Sequence, residues 1–105
     1  MSSTRVILDP KRVSDVVKIP FDFISKLAVG ETISTKVVTA SVWSGVDANP
    51  SAIINGAATS SGTVVTQSIT AGVLGVIYLL KCSITTSAAQ TLSLAGLLTV
   101  IPDGP

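Results

Sequence analysis

The chain has 105 residues, of which 12% are charged, and a formal net charge of +1 at pH 7. This length is typical of one domain, and a charge near zero argues against a nucleic-acid surface, which normally carries a basic stripe. The longest apolar run, 73–80, is far shorter than the roughly 20 residues of a membrane span, so we expect a single domain over residues 1–105 with a short polar N-terminal segment, 1–4.

The N-terminal part predicts one short strand and a charged connection. Residues 5–8 favour a strand that ends at Asp9-Pro10, because proline removes a hydrogen-bond donor from a β-ladder. Residues 11–14 are charged and polar, and they predict a connection that forms a turn at most.

The next segment predicts a half-buried strand over residues 17–23. Apolar and polar residues alternate there, which is typical of a strand with one buried face. Pro20 confines this strand to a sheet edge or a bulge. Residues 25–31 break the pattern and predict a loop or a single helical turn. The residues expected to point inward are Val17, Ile19, Phe21 and Phe23.

Residues 33–43 are rich in β-branched side chains and predict a long strand. The alternation fits either face, since Val38, Ala40 and Val42 share one side and Ile33, Val37 and Trp43 the other. We favour Val38 and Val42 inward, with Trp43 half covered near the strand end. Residues 44–50 are dense in turn-forming residues and predict a loop.

The segment before the last two strands predicts short elements. Residues 51–54 favour a short strand that ends at Asn55-Gly56, a dipeptide suited to a tight turn. Residues 57–62 are small and polar. Residues 63–69 predict a strand whose inward residues are either Val65 and Ile69 or Val64 and Thr66. Residues 70–72 predict a turn.

The C-terminal third predicts a long β-hairpin. Residues 75–86 alternate as a half-buried strand, 87–90 form a small polar reversal, and 91–101 alternate again. We expect the inner face of this hairpin to form the centre of the core. Its inward residues are Tyr78, Leu80, Cys82 and Ile84 on the first strand and Leu92, Leu94, Leu98 and Val100 on the second.

About seven short strands separated by turns, with no long helix, predict an all-β fold. The spacing of these strands is typical of an all-β sandwich or barrel. Tyr78, near the start of the penultimate strand, is placed either for the hydrogen bond of a tyrosine corner or as an ordinary core tyrosine.

The residue inventory predicts no enzyme, cofactor or metal site. Histidine is absent and cysteine single, so neither a Cys–His nucleophile pair nor the usual zinc cluster can form. Cys82 shares its face with core residues, which favours a structural role. The spacing of Asp47 and Asn49 is conceivable for calcium, but two oxygen donors do not make a site.

The surface composition favours a protein that is covered by neighbours in an assembly. Charged residues crowd the first third, and only three follow Lys36. Free monomers normally carry more surface charge than this. As candidate partner contacts we select Lys11 and Arg12 in the charged N-terminal segment, and Trp43, Asp47 and Asn49 in the loop 43–49. Trp43 is alternatively part of the core rim, since tryptophan is typical of both settings.

Several short motifs of the chain are informative together: Leu8-Asp9-Pro10-Lys11, 17–23, Gly30-Glu31-Thr32-Ile33-Ser34, 72–82, Ser87 and Gln90. These motifs resemble those of a family of small immunoglobulin-like virion proteins of tailed bacteriophages, some of them fibre–tail adaptors. Phe23 stands where many such proteins have tryptophan, and Ala89 where they often have glycine; both departures concern core and turn geometry.

The resemblance implies an immunoglobulin-like β-sandwich of about seven antiparallel strands. It also implies a non-enzymatic virion structural protein, most concretely a tail or neck accessory or a fibre–tail adaptor. Its implied partners are other virion proteins of the tail, fibre, neck or capsid, in multiple copies of a symmetric assembly, without nucleic acid or membrane. The implied location is the virion, assembled in the host cytoplasm. Two alternatives stay open: a capsid decoration protein, and a carbohydrate- or cell-surface-binding module, which aromatic residues of only 4% disfavour.

Overall fold

The computed structural model describes the backbone of residues 5–7 and the whole of residues 10–102. The predicted positions of Leu8, Asp9 and segment 1–4 therefore lie outside the described residues. The described chain is all-β, as predicted. Its elements are β1 (Arg5–Ile7), β2 (Lys11–Arg12), β3 (Val17–Asp22), β4 (Ile33–Ser44), a 3-10 helix (Pro50–Ile53), β5 (Thr59–Ser61), β6 (Val64–Ile69), β7 (Ile77–Thr86) and β8 (Thr91–Ile101).

The strands form two sheets. The larger has the order β1-β8-β7-β4, with β2 also paired to β8, and the smaller has the order β3-β6-β5. The neighbours β4-β7-β8 and β3-β6-β5 follow the order of strands C, F, G and B, E, D in immunoglobulin domains. The all-β prediction is confirmed, and the immunoglobulin-like assignment stays a prediction.

The first two strands differ from the expected antiparallel pattern, because β1 and β2 run parallel to β8. Parallel neighbours need a long crossover connection. Here almost the whole chain separates β2 from β8, which allows the two to run in the same direction. The polar residues 11–14, expected to form a turn at most, thus include a strand, Lys11–Arg12.

The core lies between the sheets and is centred on the β7–β8 hairpin, as predicted. Tyr78, Leu80 and Cys82 are fully buried on β7, and Leu98 on β8. Burial raises the pKa of the Cys82 thiol to about 11, which suits a structural role. Among the residues whose side chains the structure describes, the other buried apolar ones are Ile19, Phe21, Phe23, Val38, Ile53, Val65, Ile69, Val76, Ile84 and Val100.

The burial of the side chains shows which residues of β4 and β6 face the core, which the sequence alternation left open. On β4, Val38 is buried and Val42 packs against the core, whereas Trp43 is 49% exposed. This agrees with the favoured orientation. On β6, Val65 and Ile69 are buried, together with Gln67, whose amide donates to the carbonyls of the 55–56 turn. Pro20 lies on β3, an edge strand, as predicted.

One prediction for the segment after β4 is wrong, and one strand in this segment was not predicted. Residues 51–54 form no strand, because Pro50 opens a 3-10 helix, in which Ala52 N–H donates to Asn49 O and Ile54 N–H to Ser51 O. Proline fixes a φ that suits the first turn of a helix. Conversely, 59–61 form β5, whose side chains are all exposed. Because β5 has no buried face, its sequence does not alternate between apolar and polar residues, and the strand could not be recognised from it.

Candidate partner-binding site

Two loops meet at one end of the sandwich, which we call the corner end. They are 45–49, after β4, and 70–76, before β7. The phenol of Tyr78 joins them: its Oη accepts the Val73 N–H (2.8 Å) and donates to Asp47 Oδ2 (2.6 Å). The bond to a backbone group five residues upstream is the one expected of a tyrosine corner. A buried side chain therefore fixes the relative position of both loops.

Asp47 and Asn49 shape the first of these loops. The second carboxylate oxygen of Asp47 accepts the Asn49 N–H (2.9 Å), and the Asn49 side-chain oxygen accepts the Ser51 hydroxyl (3.0 Å). The Tyr78 hydroxyl, followed by the Asn49 N–H, lowers the pKa of Asp47. Burial and the Asp47 carboxylate raise the pKa of Tyr78. Both carboxylate oxygens thus serve the loop, and the described residues include no acidic cluster of metal-binding size.

Lys11 supports the corner end from inside. Its side chain is 1% exposed, and Nζ donates to Ala71 O (2.6 Å), Arg12 O (2.7 Å) and Val13 O (3.0 Å). The ammonium thereby ties β2 to loop 70–76. Arg12 is exposed, and its guanidinium donates to Pro102 O (2.8 Å). Of this pair, Arg12 is the residue whose side chain reaches the surface; a role for either in partner binding stays a prediction.

The corner end carries four exposed large apolar side chains, which we call the corner surface: Trp43 (49% exposed), Val46 (86%), Val73 (43%) and Leu74 (56%). The loops pack closely, since a Cβ on Gly45 would lie 3.1 Å from the Val76 side chain. Sequence reasoning selected Trp43 and missed the other three. The sequence feature that could have identified these three residues is their place in glycine-containing turns. An apolar residue in such a turn is not needed to fill the buried face of a strand.

The opposite end, the hairpin end, holds a second candidate surface. An open cleft is lined by loop 26–31 and by Ser87, Ala88 and Gln90 of the β7–β8 turn, and Val29 is fully exposed at its rim. Glu31 fixes this loop by accepting the Ala28 N–H (2.9 Å) and the Thr86 hydroxyl. The Thr86 hydroxyl, followed by the Ala28 N–H, lowers the pKa of Glu31.

Comparison with protein families decides the class of this chain. The family model described as "Podophage GP4 fiber-tail adaptor protein gp77" matches residues 11–98. The chain belongs to this family. The resemblance drawn from short motifs is thereby confirmed, and the fibre-tail adaptor family makes the chain a component of the phage virion that binds other virion proteins.

The matched range of the adaptor family includes both ends of the sandwich, from the buried Lys11 to Leu98. No match was found among curated proteins or among solved structures. Within the described part of the chain, no helix has the length and apolar character to span a membrane.

The hydrogen-bonded carboxylates of Asp47, at the corner end, and Glu31, at the hairpin end, predict that the protein loses stability in acid. A pKa lowered by folding contributes stability above the ordinary value, 3.8 for Asp47 and 4.5 for Glu31, and this contribution disappears as the pH falls through the folded-state value. Between about pH 5 and about pH 2, we expect the melting temperature of the wild type to fall more steeply than that of the double variant Asp47→Asn, Glu31→Gln. Parallel plots of melting temperature against pH for the two proteins would contradict this prediction. Asp15→Asn is the control for the removal of a surface carboxylate.

Proposed function

We propose that this chain is a non-enzymatic adaptor that joins a tail protein to a fibre protein, with the corner end and the hairpin end each binding a different neighbour. The two ends are separated by the length of β7 and β8, which have 10 and 11 residues. At roughly 3.3 Å per residue this is about 30 Å. One small domain can therefore present two surfaces that do not overlap.

The observation that carries the proposal is the corner surface. Large apolar side chains that are exposed at one end of a domain are typical of protein–protein contact sites, and tryptophan is enriched among the residues that dominate binding energy. Val46, Val73 and Leu74 lie on loops that are held by the Tyr78 and Lys11 hydrogen bonds. Trp43 lies at the end of β4, next to loop 45–49. Preorganised loops lose less conformational entropy on binding, which favours a tight contact.

The residue inventory supports a structural role. The sequence has no histidine, and burial holds the thiol of Cys82, the single cysteine, in its protonated form. The low content of charged residues, 12%, suits a domain that is packed among neighbours in several copies of a symmetric assembly.

The proposal is tested by reconstitution. Purified chain is mixed with fibreless phage particles and with isolated fibre protein, and the complexes are separated by sedimentation. An adaptor sediments with the particles by itself and is required for the fibre to sediment with them. Binding to one of the two components alone, with no recruitment of the other, would contradict the joining role.

A further inference from the structure

β4 lies at the edge of the larger sheet and pairs with β7 on one side only. Within residues 10–102, no further backbone hydrogen bond reaches its other side. An edge of this kind presents a row of N–H and C=O groups to which another strand can pair.

The remaining sheet edges carry features that hinder such pairing. β3 contains Pro20, β5 and β1 have three residues each, and β2 has two. β4 instead has 12 residues, no proline and a single charged side chain, Lys36. Proteins usually protect edges with proline, charge, bulges, short length or a covering helix or loop. The 3-10 helix and β5 lie near β4, but within residues 10–102 neither forms a backbone hydrogen bond with it. The described bulges of β4 lie near its two ends, so its central part is regular.

The register shows which backbone groups face the edge. Thr86 N–H donates to Gln90 O across the β7–β8 turn. Since backbone groups alternate in direction along an antiparallel strand, the even-numbered residues of β7 bond to β8 and the odd-numbered ones to β4. The β4 partners of the odd-numbered residues are Thr35, Val37, Thr39 and Ser41. The residues of β4 whose N–H and C=O point to the free edge are therefore Lys36, Val38, Ala40 and Val42.

We propose that β4 pairs antiparallel with β4 of a second copy of this chain, about a two-fold axis at Val38. In this register Lys36 lies opposite Ala40 of the other copy, so no two charges of like sign face each other. Val37 lies opposite Thr39, and Thr35 opposite Ser41. Pairs of β-branched and hydroxyl-bearing side chains of this kind stabilise neighbouring strands.

The strand's self-complementarity favours a second copy over an unrelated strand. A two-fold axis brings the same surface of both copies together, and here it pairs the long Lys36 with the small Ala40. It also covers Val37, which is 54% exposed on the outer face. The pairing joins the larger sheets into one continuous sheet. Because the strands run antiparallel, the dimer presents a corner surface at each of its two ends. This inference rests on the edge alone and does not depend on the adaptor role.

Sedimentation of the purified chain tests the dimer. We expect a species of twice the 10.7 kDa chain mass for the wild type and a monomer for Ala40→Pro. The Ala40 N–H points away from β7, so proline there leaves the β4–β7 ladder intact while it blocks the edge. Ala40→Ser keeps the N–H and is expected to remain dimeric. A wild-type monomer at about 1 mM, or a dimer that survives Ala40→Pro in folded form, would overturn the proposal.

Hydrogen exchange of the wild type decides the question if the proline variant fails to fold. The amides of Val38 and Ala40 should be protected at high protein concentration and exchange faster on dilution. Those of Val37 and Thr39 bond to β7 and should be protected throughout. Protection of Val38 and Ala40 that does not change with concentration, in a monomeric protein, would also overturn the proposal.

Discussion

Replacement of Lys11 by methionine is expected to lower the free energy of unfolding by about 3 kcal/mol. Methionine keeps much of the buried stem and removes the ammonium. The carbonyl oxygens of Ala71, Arg12 and Val13 then lose a charged donor inside the protein. Removing one partner of a buried charged interaction is strongly destabilising, because the other groups stay buried without it. The free energy is measured by urea denaturation with linear extrapolation.

Lys18→Met is the matched control. Lys18 is exposed on β3, and we expect its replacement to change stability by no more than about 0.5 kcal/mol. If Lys11→Met and Lys18→Met shift the urea midpoint equally, the ammonium of Lys11 does not hold β2 to loop 70–76 in solution.

Replacement of Trp43 by alanine is expected to weaken binding of the chain to its corner-end partner about 30-fold, or about 2 kcal/mol. Trp43 is the largest side chain of the corner surface, and truncating an aromatic residue at the centre of an interface typically costs this much. Binding is measured on fibreless particles and on isolated fibre protein, since the corner end is expected to bind one of the two.

Two further variants make this test specific. Leu74→Ser lies on the same surface and is expected to weaken binding to the same component, whereas Val29→Ser, at the hairpin end, is expected to leave that binding unchanged. Thermal melting of each variant shows whether the fold is retained. If Trp43→Ala and Leu74→Ser bind both components like the wild type, the corner surface is not a contact site.

The large strands were predictable because their alternation reflects burial on one side. The inward residues of β7, such as Tyr78 and Leu80, are buried as expected, and the bounds of β8 agree with the prediction. β5 and β2 were not predictable. The side chains of β5 are exposed throughout, and β2 consists of Lys11 and Arg12, whose charges are normally typical of a surface connection.

The candidate site was predictable only in part. Trp43 was selected because tryptophan is enriched at interface hot spots, and Asp47 because it belongs to the predicted loop that follows Trp43. The burial of Lys11 was not foreseen, since it depends on three carbonyl groups that come together only in the folded chain. Val46, Val73 and Leu74 were missed because their exposure results from the packing of two loops that are distant in sequence.

The most direct test of the adaptor role is the fibre content of phage particles assembled without this chain. Quantitative mass spectrometry of purified particles would give the amounts of fibre, tail and capsid proteins, with and without the chain added back. We predict complete heads and tails that lack fibres, and recovery of fibres when the purified chain is added. Fibres at the wild-type level in particles without the chain would contradict the account.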